Sequence, residues 1–261
     1  MMKRINTIAI LICCVVLLAA CSGSKPSSQS EPTSVKPAWF KPDPATAGVI
    51  SGKIMFTGKA PVAKKIDMDQ DPQCVKLHQN AVMDEAIAAR GEGKDRVLAN
   101  VFVYIKQGLE EKNFEPPTEP VTIDQNGCWF SPRVMGVRVG QTFKVTNSDP
   151  LTHNIHPLPE INRDWNQSQS PGDQPLTRRF TQPEVMVRVK CNIHSWMHAW
   201  VGVVAHPYFA VTGEDGAFQL RDVPPGTYTL EAWQEELGKI EQKIVLAPSA
   251  KSDIVFEFKS K

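Results

Sequence analysis

The sequence predicts an all-β chain: a larger β-sandwich and a smaller one, with one short helix in the N-terminal part. Two observations predict it. Short β-rich segments recur from about residue 47 to the end, separated by Gly, Pro, Asn and Asp. Helical periodicity shows at one place only, CVKLHQNAVMDEAIAAR, where Val75, Val82, Met83, Ala86 and Ile87 form a loose apolar stripe.

The first segment, MMKRINTIAILICCVVLLAAC, precedes the fold. Lys3 and Arg4 open it, an apolar run from Ile8 to Leu18 follows, and small residues close it. This is the pattern of a secretory signal over residues 1–20, and the run is short for a spanning helix. Leu18-Ala19-Ala20-Cys21 resembles the lipobox of bacterial lipoproteins. That resemblance implies cleavage before Cys21, lipidation of its thiol, and a bacterial membrane anchor on the periplasmic or cell-surface side. An uncleaved anchor is the alternative. Residues 21–46, rich in Ser, Pro and Lys, read as a disordered tether.

Residues 47–205 are expected to form the first sandwich. GVISGKIMF, LANVFVYIK, PVTIDQ, VMGVRVG, QTFKVTN, EVMVRVKC and AWVGVVAH supply its strands. In EVMVRVKC, period-two alternation puts Val185, Val187, Val189 and Cys191 on one buried face. The acidic DMDQD before Pro72 does not fit a calcium loop, which would want Gly and Glu where Pro72 and His78 stand. The polar connection 157–179 is long enough to be functional or mobile.

Residues 206–261 are expected to form the second sandwich. FAVTGEDGAFQL reads as a hairpin around Asp215-Gly216. VPPGTYTLEAW puts Tyr228, Leu230 and Ala232 on one face, and IEQKIVLAP and SDIVFEFK complete the unit. Thr212, Asp215-Gly216, Phe218, Leu220, Pro224-Pro225-Gly226-Thr227-Tyr228 and Leu230 resemble the carboxypeptidase regulatory-like (transthyretin-like) module. The resemblance implies a stabilising or interaction role without catalytic residues. GVISGKIMFTG and LANVFVYIK resemble the opening strands of the same module, so the alternative to a linear division inserts the first sandwich into the second.

The chemistry concentrates in KCNIHSWMHAW, residues 190–200. Cys191 ends a strand with its sulfur inward. His194 and Met197 follow at steps of three, so one loop can wrap a single ion. NSDPLTHNIH, after another strand, offers His153 or His156 as a second imidazole. A thiolate, two imidazoles and a weak thioether make the blue-copper arrangement. A zinc set would instead be Cys191, His194, His198 and His153. The six cysteines reduce quickly. Cys13 and Cys14 leave with the signal and Cys21 takes the lipid. With Cys191 among metal donors, a Cys74–Cys128 disulfide is the economical pairing in an oxidising compartment, although the count leaves others open.

NSDPLTHN followed by CNIHSWM resembles the cupredoxins, amicyanin and plastocyanin among them, over roughly residues 95–205. The resemblance implies a Greek-key sandwich with copper as cofactor. It implies His153, Cys191 and His194 as strong ligands and Met197 as the axial one, with His198 and His156 as alternates. It makes Asn154 the residue whose hydrogen bonds tie the ligand loops together. It also implies electron exchange with a redox protein, such as a c-type cytochrome or an oxidase, through a more exposed His194. Ile193 stands where the family often has Pro. The order of modules resembles exported proteins labelled methylamine utilisation proteins, which tend to have His at the positions of Arg133 and Gln234; that additional site is not expected here.

The chain has 29 basic and 28 acidic residues, and Lys3 and Arg4 leave with the signal. Near-neutrality gives no bulk argument for nucleic acid. Arg178, Arg179, Arg188 and Lys190 read as a solvated strand edge, with a partner-docking face as the alternative. His78 and His206 read as structural, and Trp196 as a shield over the metal. No Ser-His-Asp set or phosphate loop points to an enzyme. The expectation is an exported, lipid-anchored, monomeric electron carrier with one type 1 copper. The alternatives are a copper store or chaperone, and a structural or carbohydrate-contacting surface lipoprotein.

Overall fold

The computed structural model describes residues 38–260. The signal, Cys21 and most of the proposed tether lie outside them. Among the described residues no helix is long and apolar enough to cross a membrane. The last part of the expected tether belongs to the fold. Phe40 N–H donates to the Asn113 carbonyl at 2.6 Å, the Phe40 ring meets Phe114 edge-on at 5.4 Å, and Ser249 Oγ donates to the Ala45 carbonyl at 2.7 Å. Phe40 is a large apolar ring with a core to enter.

All sheets are β-sandwich layers, and the first described strand shares a sheet with the last. Gly48–Thr57 runs parallel to Lys251–Lys259 and antiparallel to Ala217–Val223. Opposite it, Phe102–Gln107 lies between Phe209–Val211 and Gly226–Gln234, and the latter turns back into Gly238–Leu246. Alternation explains the choice of faces: Ile50, Ile54, Val103, Ile105, Tyr228 and Leu230 point into one buried cluster. The C-terminal module is therefore closed by strands from the front of the chain, and residue 206 does not separate two sets of sheets. The expected hairpin of FAVTGEDGAFQL does not form. Phe209–Val211 and Ala217–Val223 pair into different sheets. Gly216, at φ +66° against Val97, turns the corner between them.

The strands between these modules build the second sandwich. Gln167–Gln169, His153–Leu158, Glu184–Lys190, His198–Val204 and Val134–Arg138 form one sheet in that order. Leu176–Arg178, Phe143–Asn147, Val121–Gln125 and Phe130–Ser131 form the other. Val134–Arg138 is parallel to His198–Val204, and Val121–Gln125 to Phe143–Asn147, so crossover connections are built in. Ile123, Phe143, Val145, Ile155, Val189 and Val201 fill the space between. The connection 157–179 is not a bare loop: it gives one short strand to each sheet. The expected helix shrinks to Pro72–Lys76, capped by Asp71. Val75 and Met83 of its predicted stripe stay exposed, Val82 and Ile87 pack on different cores, and Met83 bridges Lys65 as extended chain, so no single surface rewards a longer helix.

The two sandwiches meet back to back. Trp200 of one packs on Trp233 of the other at 5.0 Å. Gly202 lets Phe102 approach: a Cβ there would lie 2.4 Å from the ring. Gly202→Ala is therefore expected to cost about 1–3 kcal/mol by overpacking, read as a lower urea midpoint.

Candidate metal centre

Cys191, His194 and Met197 lie on one turn that closes on itself. Cys191 N–H donates to the Met197 carbonyl, and Met197 N–H to the His194 carbonyl, both at 3.1 Å. The three side chains are buried, Met197 completely. The N–H groups of Ile193 and His194 both donate to Cys191 Sγ at 3.3 Å. Burial would raise the thiol's pKa. The adjoining His153 and the N–H groups of His194, Asn154 and Ile193 outweigh it and hold Cys191 below its ordinary value.

His153 begins its strand fully buried. Its Nδ1 faces His194 Nδ1 at 3.0 Å, and the sulfur of Cys191 lies within 4.8 Å of both rings' donor atoms. The far nitrogens meet carboxylates: His153 Nε2 donates to Asp149 at 2.7 Å, and His194 Nε2 to Asp71 at 3.1 Å. Asp149 is itself held by the N–H groups of Gly127 and Cys128. Burial works against a charged His153, but Asp149 and Cys191 push it up to about 9.

These contacts decide what the pair can hold. A neutral imidazole has one donor and one acceptor nitrogen. With both Nε2–H groups committed to carboxylates, two Nδ1 lone pairs face each other beside a thiolate. That arrangement calls for a cation between them, a proton or a metal ion. Two nitrogens bonded at about 2.0–2.1 Å to one tetrahedral ion would stand about 3.3 Å apart, close to the spacing here. The donor set of soft sulfur and imidazole fits copper.

Of the sequence candidates, His153, Cys191 and His194 come together, with Met197 in the same buried cluster. The alternates do not join them. His198 is engaged elsewhere: its Nε2 lies 2.7 Å from Arg133 and 3.4 Å from Glu235, and its Nδ1 3.1 Å from the Trp196 carbonyl. His156 faces Asp164 and Asn192. Asn154 Oδ1 accepts from Asn192 N–H at 3.0 Å, and its Nδ2 donates to Asn166. It thus joins the His153 strand to the Cys191 turn. Asn154→Ala is expected to cost about 1–3 kcal/mol by leaving these partners unpaired, read by thermal unfolding.

One expectation needs correction. His194 is not the exposed edge; it is 3% exposed. Asp71 covers its Nε2, Cys74 Sγ lies 3.7 Å away, and Trp196 packs on its ring at 5.1 Å. Cys74 is disulfide-bonded to Cys128, and Trp196 Nε1 donates to the Cys128 carbonyl. The disulfide therefore lies over the centre. Sequence reasoning missed Asp71 and Asp149. Asp149 stands four residues before His153 in a visible turn, a usable signal; Asp71, remote in sequence, had none. His78 and His206 bond backbone carbonyls, at 2.7 and 2.8 Å.

The profile of polysaccharide lyase family 4, domain II, matches residues 193–254, a minority of the chain. No curated protein matches. Among solved structures, a purple cupredoxin from Nitrosopumilus maritimus is 22% identical, with TM-score 0.28, over 32% of this chain and 98% of that one. A Cu(I) amicyanin variant is 19% identical, with TM-score 0.29, over 32% and 81%. A copper-containing nitrite reductase from Thermus scotoductus SA-01 is 24% identical, with TM-score 0.30, over 35% of this chain and only 23% of its own length. Likenesses at this level assign no chemistry to the chain.

Proposed function

We propose that this chain is an electron carrier with one type 1 copper, held by His153 Nδ1, Cys191 Sγ and His194 Nδ1 with Met197 as the weak fourth donor. The observation that supports it most is the pair of Nδ1 atoms facing across 3.0 Å beside a buried thiol, with each far nitrogen tied to a carboxylate. Copper, when bound, would supply a reversible one-electron change. The chain's own part is to hold the donors still. Asp149 and Asp71 orient the rings, Asn154 locks the turn to the neighbouring strand, and the surrounding core keeps water out. Burial of every donor argues against hand-over of copper to another protein, which the chaperone reading needs.

The pattern of the leader supports a carrier outside the cytoplasm of a bacterium, lipid-anchored at Cys21. Its reading is a monomer that exchanges electrons with a protein such as a c-type cytochrome or an oxidase, without transforming a substrate. The test is the visible absorption and EPR of residues 22–261 loaded with Cu(II). An intense thiolate-to-copper band with narrow copper hyperfine splitting is expected. A colourless protein with ordinary tetragonal Cu(II), or one that prefers zinc, would overturn the reading.

A further inference from the structure

The polar connection 157–179 and the start of the next one, through Thr181, line a cleft of 590 Å³, and its Asn166 reaches Asn154, the neighbour of His153. Arg163, Arg178 and Arg179 line it, with Trp165 and Asn166. Arg178 lies over the Trp165 ring at 5.1 Å and donates to Gln167, so its guanidinium is held in place. Arg179 reaches only the Thr142 hydroxyl, at 3.3 Å. Among the described residues no carboxylate pairs with any of these three arginines. The lining carboxylate, Asp164, is taken by His156 at 3.2 Å. Arg188 and Lys190 do not line the cleft, so the basic cluster read from the sequence divides in two.

Three guanidiniums without a carboxylate partner, one of them over an aromatic ring, favour carboxylates, which they bind bidentately. The cleft wall is also wired to the centre. Asn166 accepts from Asn154 Nδ2, and Asn154 binds the N–H of Asn192, next to Cys191. The ring of His194, meanwhile, is closed off by Asp71 and Cys74. We propose that this cleft docks a carboxylate-rich face of a partner protein, and that electrons pass between it and Cys191 through Asn166 and Asn154. The docking stands on the cleft alone; the electron route rests on the copper reading.

Two measurements separate these parts. The metal-free chain is titrated with octaglutamate by calorimetry at low salt. The copper-loaded, reduced chain is then oxidised by ferricyanide, each Cu(I) losing one electron to one Fe(III), and in parallel by the cationic tris(phenanthroline)cobalt(III). Arg163→Gln with Arg179→Gln is expected to weaken octaglutamate about tenfold and to slow ferricyanide by a similar factor, with the cobalt rate undiminished. Equal octaglutamate binding by both chains, or none by the parent, overturns the docking surface. Weaker peptide binding with an unchanged ferricyanide rate overturns the electron route. If octaglutamate binds as expected but no blue copper forms, the docking surface stands and the carrier reading falls.

Discussion

Cys191→Ser will abolish the intense visible band of the Cu(II)-loaded protein and leave the fold intact. The reasons lie in the two atoms exchanged. The sulfur sits among His153, His194 and three backbone N–H groups that favour its anion. A serine hydroxyl stays protonated at neutral pH and is a hard donor, so it offers copper neither the charge nor the covalency of a thiolate. Shape changes little, and the N–H groups of Ile193 and His194 still find an oxygen to donate to. The destabilisation is then confined to burying a hydroxyl, about 1–3 kcal/mol. The check pairs absorption and EPR with a thermal melt of the metal-free protein. A retained band would remove Cys191 from the centre. Loss of the fold would show that the thiol's role is packing.

Glu235→Ala is expected to cost about 3–5 kcal/mol. Glu235 is the main partner of Arg133, whose side chain is 3% exposed. Its carboxylate accepts from Arg133 Nε at 2.8 Å and Trp200 Nε1 at 2.6 Å. Arg133 Nη1 already lacks a partner, so removing Glu235 leaves a buried cation with only the longer contact to Asp84, at 3.4 Å. Glu235→Gln, which keeps the acceptor and loses the charge, is expected to cost less. The pH dependence has a definite sign. Burial would raise the carboxyl, but His198, Arg133 and Trp200 outweigh it and hold it below the ordinary value of 4.5. Its stabilisation is therefore complete above 4.5 and lost as pH falls through the lowered value. His206 acts in the same direction earlier. Burial pushes it from 6.5 down to about 4, so the unfolded chain takes up its proton first and stability declines across that interval. Urea midpoints should fall from pH 6.5 towards acid, and the further loss below 4.5 that is due to Glu235 should vanish in the alanine variant.

Much of the centre was legible because its donors are close in sequence. Cys191, His194 and Met197 share one turn, and His153 follows a recognisable strand. The covering of His194 was not legible. Asp71 and Cys74 reach it from more than a hundred residues upstream, and nothing local to either segment announces the other. The helix was overread for a related reason: an apolar stripe marks a helix only where another surface buries it, and Val75 and Met83 meet none. The hairpin at Asp215-Gly216 was overread too, since a turn signal specifies a change of direction but not which strands the two arms will join.

What the sequence determined by itself is what short-range geometry controls. Period-two alternation set the strands and their buried faces. The spacing of three set the Cys191–Met197 turn, while the count of cysteines left the pairing open until the structure joined Cys74 to Cys128. What only the tertiary structure decided is the set of long-range pairings. These are Gly48–Thr57 beside Lys251–Lys259, the carboxylates behind both imidazoles, the disulfide over His194 and the arginine cleft. Each depends on which distant surfaces bury the most apolar area while satisfying their polar atoms. That is a property of the whole chain's packing, and no single segment encodes it.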